Sequence, residues 1–160
     1  MKHTVVRLDN MQGTHDGTKL YSVEFASDLD NGSVVKLSGL KSGEREIWTG
    51  ATPAADSKLD EVVLIASPEV MYDERLKNFS DFYNIAANGP MRAYGFCKHD
   101  TFSATAEAFD GTPTVGGVIE LQAKTKMKAV ASATSGSTQI GECIAIEDVG
   151  LLKYYVIKVK

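Results

Sequence analysis

The chain has 160 residues, and 17 lysines and arginines against 21 aspartates and glutamates give it a net charge of −4 at pH 7. This length predicts one domain with an apolar core, and the mild acidity argues against basic nucleic-acid-binding or membrane-surface proteins. With 43% hydrophobic residues, 24% charged residues and two cysteines, the composition excludes collagen-like, disulfide-scaffold and wholly disordered classes. Membrane spanning is also excluded, because no apolar run approaches about 20 residues. The start of the chain lacks the long apolar region of a secretory signal.

Short β runs separated by turn residues dominate the first half of the chain. The segment 20–25 alternates apolar and polar residues, as a half-buried strand does. Asp30-Asn31-Gly32 predicts a tight reversal, and therefore a hairpin between 20–25 and 33–37. The continuous run 61–66 predicts a strand buried on both faces. The predicted strands of this half cover 3–8, 20–25, 33–37, 44–49 and 61–66.

The middle of the chain, 69–90, is rich in aromatic residues and has no strand pattern. Residues 78–84 predict a short helix in which Phe79 and Phe82, three positions apart, share a face. Asn88-Gly89-Pro90 ends it, because proline cannot continue a helix. This segment is therefore interpreted as a helical or loop insert between two β halves.

The second half returns to strands at intervals of roughly 8–12 residues, which is typical of a sandwich or barrel. These predicted strands cover 91–96, 101–106, 118–123, 126–130, 139–146 and 151–160. The predicted fold is all-β with minor helix, as a small β-sandwich or β-barrel. Residues 1–160 form a single β-rich unit in this interpretation, with lobes 1–68 and 91–160 joined by the insert 69–90.

Candidate reactive groups are few. Cys97-Lys98-His99-Asp100 brings a thiol, an imidazole and a carboxylate together, and in a strand Cys97 and His99 would project on the same side. A zinc site needs three or four protein ligands, and only His3 and His15, at the far end of the chain, could complete the histidine set. We therefore predict no metal site, no cofactor and no catalytic residues. Cys97 and Cys143 are predicted to be free thiols packed as small apolar groups, and a disulfide between them is the alternative.

Charged motifs also favour structural explanations. The carboxylate pairs lie at turns or strand ends, and none is flanked as an acid–base pair in an apolar pocket would be. Alternating lysines in 124–128 predict a solvated or edge-protecting strand face, with an acidic protein partner as the second interpretation. Nucleic acid is not predicted there, because no aromatic residue is interleaved for base stacking.

Two groups of sequence features resemble a known class of β domain. In the second half these are 111–121, the run Thr138-Gln139-Ile140-Gly141 continuing to Glu147, and Tyr154-Tyr155-Val156-Ile157. In the first half they are 28–32, 43–46 and 67–74. Together they resemble the head decoration proteins, or capsid cement proteins, of tailed bacteriophages. The resemblance covers most of the chain, whose N-terminal half is larger than that of the shortest such proteins.

This resemblance implies a non-enzymatic virion protein, made in the host cytoplasm, that binds the capsid exterior and stabilises the shell. Its expected partner is the major capsid protein, and a homo-oligomer is a further expectation. The extended segment from Met1 to Leu8 would add a strand to a shell subunit, and aromatic side chains would serve as interface anchors. Core packing is the alternative for each aromatic. The candidate contact residues are Thr4, Val5, Val6, Arg7, Trp48, Tyr72, Phe79, Phe82 and Tyr83.

Two other functions remain open at this stage. One is a tail or fibre β module, including a carbohydrate-binding domain. The other is a small enzyme that uses Cys97 and His99 as a thiol–imidazole pair.

Overall fold

The structure, a computed structural model, describes residues 2–71, 73 and 78–160. Within these residues the fold is all-β, as predicted, and comprises a seven-stranded sheet and a closed five-stranded barrel. The strands are β1 (Val6–Asn10), β2 (Leu20–Glu24), β3 (Val34–Leu40), β4 (Ile47–Ala51), β5 (Val62–Ile65), β6 (Met91–Gly95), β7 (Thr101–Thr105), β8 (Phe109–Asp110), β9 (Val118–Gln122), β10 (Lys124–Val130), β11 (Gln139–Val149) and β12 (Leu152–Val159). Short 3₁₀ turns cover Gln12–Thr14, Gly17–Lys19, Leu59–Glu61, Phe79–Asp81, Ala86–Asn88 and Ala106–Ala108.

The barrel has the strand order β2-β4-β3-β5-β6 and closes between β6 and β2. The β2–β4 pair is parallel, and the other four pairs are antiparallel. Alternate residues of each strand point inward, because successive side chains of a strand lie on opposite faces. The buried residues of the interior are Val23, Leu29, Val35, Val63, Ile65, Met91 and Ala93.

The seven-stranded sheet has the order β1-β7-β12-β11-β9-β10-β8. Its pairs are antiparallel except for the short β10–β8 pair. A register shift between Cys143 and Ala145 interrupts the β11–β12 ladder. Because a bulge of this kind places an extra residue on one strand, the faces of β11 exchange sides at this point.

Strand β5 joins the two halves of the core. All four of its residues are buried, which confirms the prediction that a continuous apolar run is covered on both faces. Val63 and Ile65 fill the barrel interior, while Val62 and Leu64 pack in the larger cluster between the barrel and the sheet. That cluster also includes Phe102 and Ile119 of the sheet. The barrel therefore uses its outer surface to cover one face of the sheet.

The predicted hairpin between 20–25 and 33–37 is wrong. Strand β4 lies between β2 and β3 in the barrel, and the turn at Asn31 is fixed by other segments. The buried Asn31 amide donates to the Ser67 carbonyl and accepts from the Ser67 N–H, both at 2.9 Å. The Gly32 N–H donates to the Ile65 carbonyl at 2.8 Å. These distant partners direct the chain toward β5 instead of back along β2.

Other predicted element boundaries also differ from those in the structure. The first strand is Val6–Asn10 rather than 3–8, and the helix expected over 78–84 is a single 3₁₀ turn, Phe79–Asp81. The two sheets divide the chain differently from the lobes 1–68 and 91–160. Strand β1 lies in the sheet with the C-terminal strands, and β6 closes the barrel. Among the described residues, none of these helical turns has the length or apolar character needed to cross a membrane.

Candidate partner-binding surface

The N-terminal arm, defined here as residues 2–5, packs on the segment 78–85. The His3 N–H donates to the Ser80 carbonyl at 2.7 Å. The His3 ring stacks on the Tyr83 ring with a centroid separation of 4.7 Å, and Nδ1 lies 2.7 Å from Asp30 Oδ1. The structure thus brings together two regions that the sequence suggested separately as partner contacts.

Most of the arm is covered by the protein itself. Thr4 and Val5 are buried, with exposed fractions of 1% and 4%. Val5 accepts a hydrogen bond from the Thr105 N–H at 3.1 Å, and its own N–H donates to Thr105 Oγ1 at 3.2 Å. Val6 pairs with Ala104 in the sheet. The candidate residues Thr4, Val5 and Val6 are therefore held within this chain, and the segment expected to extend onto a shell subunit is paired internally. Met1 lies outside the described residues.

Arg7 lies on the face of the sheet that points away from the barrel. Its guanidinium stacks over the Tyr154 ring, 4.2 Å from the centroid, and donates to Glu147 Oε2 at 2.7 Å. The hydrogen bond to Glu147 raises the pKa of Arg7 above its ordinary value. Ser103, on the neighbouring strand, donates to Asp9. These mutual contacts give Arg7 a structural role within the sheet face, although one third of its side chain is exposed.

The aromatic side chains of the segment 78–85, called here the aromatic segment, differ in how much of their surface is exposed. Phe79 is 57% exposed and Tyr83 is 37% exposed, while Phe82 is half-buried. Phe82 and Tyr83 line a cleft of about 290 Å³ together with Pro90. Tyr72, the remaining aromatic candidate of the insert 69–90, lies outside the described residues. Of the described aromatics of this segment, Phe79 is therefore the one that presents most of its ring to a partner.

The tip of the β11–β12 hairpin carries the most exposed large apolar side chain among the described residues, Leu151, at 98%. Gly150 and Leu151 form a two-residue connection, and Gly150 has φ of 61°. A hairpin loop of this length with glycine at its first position is suited to a type II′ turn. Val149, which ends β11, is 49% exposed.

Phe79 and Leu151 lie at the same cleft. The cleft has a volume of about 370 Å³ and is lined by Lys2, Asn78, Phe79, Ser80, Leu151 and Leu152. Val149 faces Leu152 in the hairpin register. We call Phe79, Val149 and Leu151 the apical patch. Lys2 of the arm also lines the cleft, and each of the three side chains of the apical patch is about half exposed or more.

Trp48 belongs to a different part of the molecule. It is half-buried and packs against the barrel interior. Its ring meets that of Tyr21 edge-on, with centroids 6.1 Å apart. Core packing, the alternative stated for each aromatic, thus accounts for the position of Trp48 in β4, and the lining of the apical cleft does not include it.

The segment Cys97-Lys98-His99-Asp100 is a turn and not the strand assumed in the sequence argument. The two carboxylate oxygens of buried Asp100 accept from the backbone N–H groups of Gln12 and Cys97, each at 2.9 Å. His99 has φ of 73° and an exposed side chain. The carboxylate is thus used to hold the turn. In the part of the chain that the structure describes, no group of three or more His, Cys, Asp or Glu side chains could hold a metal ion.

Both cysteines are free. Burial raises the pKa of the Cys97 thiol, and the Asp100 carboxylate raises it further. Burial also raises the pKa of Cys143, which is fully inaccessible. A raised pKa lowers the thiolate fraction near pH 7, and the thiolate is the nucleophilic form of cysteine. The local environment therefore disfavours nucleophilic chemistry at both thiols.

Sequence reasoning missed the hairpin tip, because Leu151 was taken as the first residue of the last strand. The signal was present in Val149-Gly150-Leu151-Leu152, where a glycine turn is flanked by apolar residues instead of the usual polar ones.

A search among protein-family models, curated proteins and solved structures found no match to this chain. The proposal below therefore depends on the geometry and on the resemblance described above.

Proposed function

We propose that this protein decorates the outside of an assembled tailed-phage capsid and stabilises the shell. The observation that carries the proposal is the apical patch, in which Leu151 is 98% exposed beside Phe79 at 57%. Single exposed apolar side chains are common, but clustered ones at a cleft are typical of protein-binding sites. The major capsid protein is the proposed partner.

The physical basis is burial of apolar surface on a rigid support. Each leucine or phenylalanine side chain transferred from water into a packed interface contributes about 1.5–3 kcal/mol. Leu151 is held by a two-residue turn between long paired strands, β11 and β12. Little conformational entropy is therefore lost when it docks, and preorganisation of this kind favours affinity. The apical patch, and not the N-terminal strand, is the proposed main contact with the shell, because that strand is paired within the chain.

Co-sedimentation with mature capsids that lack the protein tests the proposal. The wild-type chain should pellet with the capsids and raise the temperature at which they release their genome. Leu151→Asp and Phe79→Asp should each reduce binding at least about tenfold, because a carboxylate is costly to bury. The matched control is Leu40→Asp, which changes another half-exposed leucine, 50% exposed on the barrel; it should bind like wild type.

Two results would contradict the proposal. One is a wild-type chain that does not bind capsids at all. The other is binding that Leu40→Asp weakens as much as Leu151→Asp does. Immunogold labelling of intact particles provides a separate test of location, because labelling at the tail instead of the head would favour the tail or fibre alternative.

A further inference from the structure

A second cleft lies at the C-terminal end of β12, at the opposite end of the β11–β12 hairpin from the apical patch. It has a volume of about 380 Å³. Its lining consists of Lys98, His99, Glu142, Ile144, Lys158, Val159 and Lys160. Four of these seven residues carry basic side chains and one is acidic, although the chain as a whole has a net charge of −4. We call this the basic cleft.

Backbone hydrogen bonds hold together the two segments that carry the basic residues. The His99 N–H donates to the Val159 carbonyl at 3.1 Å, and the Val159 N–H donates to the Asp100 carbonyl at 2.8 Å. The turn that carries Lys98 and His99 is therefore tied to the strand that carries Lys158. His99 adopts φ of 73°, a left-handed conformation that is strained for a residue other than glycine.

Two lysines of the basic cleft lack the carboxylate partners that several other lysines have. Four lysines elsewhere form ion pairs at 2.8–2.9 Å: Lys36 with Glu61, Lys41 with Glu24, Lys124 with Asp110 and Lys128 with Glu120. Within the described residues, Lys98 and Lys158 have no such partner. Lys160 lies 3.8 Å from Glu142, the single carboxylate side chain of the lining. The cleft thus keeps an excess of positive charge.

The basic cleft also offers an apolar contact. Ile144 lies within the register shift of β11, between Cys143 and Ala145, and its side chain is 44% exposed. An isoleucine beside two unpaired lysines suits a ligand that alternates carboxylates with an apolar side chain. Phe, Tyr and Trp are absent from the lining, and His99 is its one aromatic ring, so the cleft lacks the series of rings on which successive nucleic-acid bases stack.

We propose that the basic cleft binds an acidic segment of a partner protein, with carboxylates on Lys98 and Lys158 and an apolar side chain on Ile144. Complementary charge speeds association and selects among partners, and its effect decreases with salt. This site is separate from the apical patch, and its test uses no capsid, so the two proposals fail independently.

Fluorescence anisotropy with a labelled oligoglutamate peptide carrying a central leucine tests the proposal on the full chain. The wild-type protein should bind the peptide, and added salt should weaken binding. The double variant K98E/K158E should bind at least about tenfold more weakly, and Ile144→Ser should bind several-fold more weakly. The matched control is K153E, which reverses an exposed lysine near the tip of the β11–β12 hairpin, outside the lining of the cleft, and should bind as wild type does. Both lysines of the double variant are exposed, and unchanged thermal unfolding would show that it still folds.

Three outcomes would overturn the proposal. The first is equal peptide binding by wild type and K98E/K158E. The second is displacement of the labelled peptide by inorganic phosphate as effectively as by unlabelled peptide at matched ionic strength, which would indicate a simple anion site. The third is tighter binding of a single-stranded oligothymidylate than of the peptide, lost in the same double variant, which would indicate a nucleic-acid site.

Discussion

The His3 ring stacks on the Tyr83 ring, with centroids 4.7 Å apart and planes inclined by 23°. The same histidine donates its backbone N–H to Ser80 and contacts Asp30 through Nδ1. One residue therefore attaches the arm both to the aromatic segment and to the loop before β3. The arm in turn forms part of the cleft at the apical patch, through Lys2.

Replacing His3 with alanine should loosen the arm without unfolding the protein. We expect a loss of about 1 kcal/mol from the stacking and side-chain contacts. The Thr105 N–H, which donates to the Val5 carbonyl, should exchange with solvent deuterium faster in His3→Ala. Lys2→Ala, which changes the exposed neighbouring residue, is the control and should leave this amide protected. Equal protection of Thr105 in wild type and His3→Ala would show that His3 does not hold the arm.

The buried carboxylate of Glu120 gives a prediction on pH. Glu120 has no exposed side-chain surface and lies 2.9 Å from Lys128 Nζ; its other oxygen accepts from the Thr134 N–H at 3.0 Å. Burial by itself would raise the pKa of Glu120, but the hydrogen bonds from Thr134 and Lys128 outweigh it and hold the pKa below its ordinary value of 4.5. The stabilisation is therefore present above that ordinary value and is lost as the pH falls through the lower pKa of the folded state.

Lys128→Met should destabilise the protein by about 3 kcal/mol near pH 7, because it leaves a buried carboxylate without its cation. The difference from wild type should shrink at about pH 4, where Glu120 of the variant can take up a proton. Urea denaturation at the two pH values measures this. The control, Lys126→Met, lies on the same strand but is exposed, and it should change stability by less than about 0.5 kcal/mol. A loss for Lys128→Met that is the same at both pH values would contradict the assignment.

Local patterns in the sequence were sufficient to predict the fold class and most strand positions. Strand β5 is an example, since the run Val62-Val63-Leu64-Ile65 has apolar residues on both faces and is buried on both. The same patterns failed where a turn is fixed from a distance. Asn31-Gly32 has the composition of a hairpin turn, yet its conformation depends on hydrogen bonds to Ser67 and Ile65. Nothing in the local sequence identifies those partners.

The candidate site was predicted in part. Phe79 and Tyr83 were named as interface anchors through the resemblance and the enrichment of aromatic residues at interfaces, and both are substantially exposed. Phe79 lies at the same cleft as Leu151, and Tyr83 stacks on His3. These arrangements depend on the β1–β7 and β7–β12 pairings, which join segments far apart in the chain. Thr4 and Val5 were named as strand residues available to a partner protein. The sequence of a terminal extended segment does not show whether it pairs with another strand of the same chain or with a different protein.

Gly141 allows the backbones of β11 and β12 to approach closely, and a larger residue there should clash. A Cβ at this position would overlap the Lys158 carbonyl oxygen and lie 2.8 Å from its carbonyl carbon. Gly141→Ala should therefore destabilise the protein by about 2–3 kcal/mol in urea denaturation, since two paired backbones would have to separate. Gly17→Ala is the control, because a Cβ there meets nothing within 4 Å. It should be neutral or stabilising by up to about 1 kcal/mol. Similar effects at the two positions would argue against the close approach at Gly141.

The two thiols should react slowly with iodoacetamide in the native protein. Burial and the nearby Asp100 carboxylate raise the pKa of Cys97, so less thiolate is present near pH 7 than in a free cysteine. Cys143 is inaccessible and should be labelled only when the protein unfolds. Alkylation followed by mass spectrometry measures both rates, and Cys97→Ser identifies which residue gives any slow native label. The rate at Cys97 should rise with pH and reach its midpoint above the pKa of a free thiol.

Faster alkylation of Cys97 than of a free cysteine near pH 7 would contradict this prediction. It would show that the thiol is activated, and activation would require a group that stabilises the thiolate. The Asp100 carboxylate disfavours the thiolate more strongly than the Lys19 ammonium favours it. An activated Cys97 would therefore imply that the turn rearranges to bring Lys19 or His99 against the sulfur. Only that result would revive the small-enzyme hypothesis in preference to a structural role.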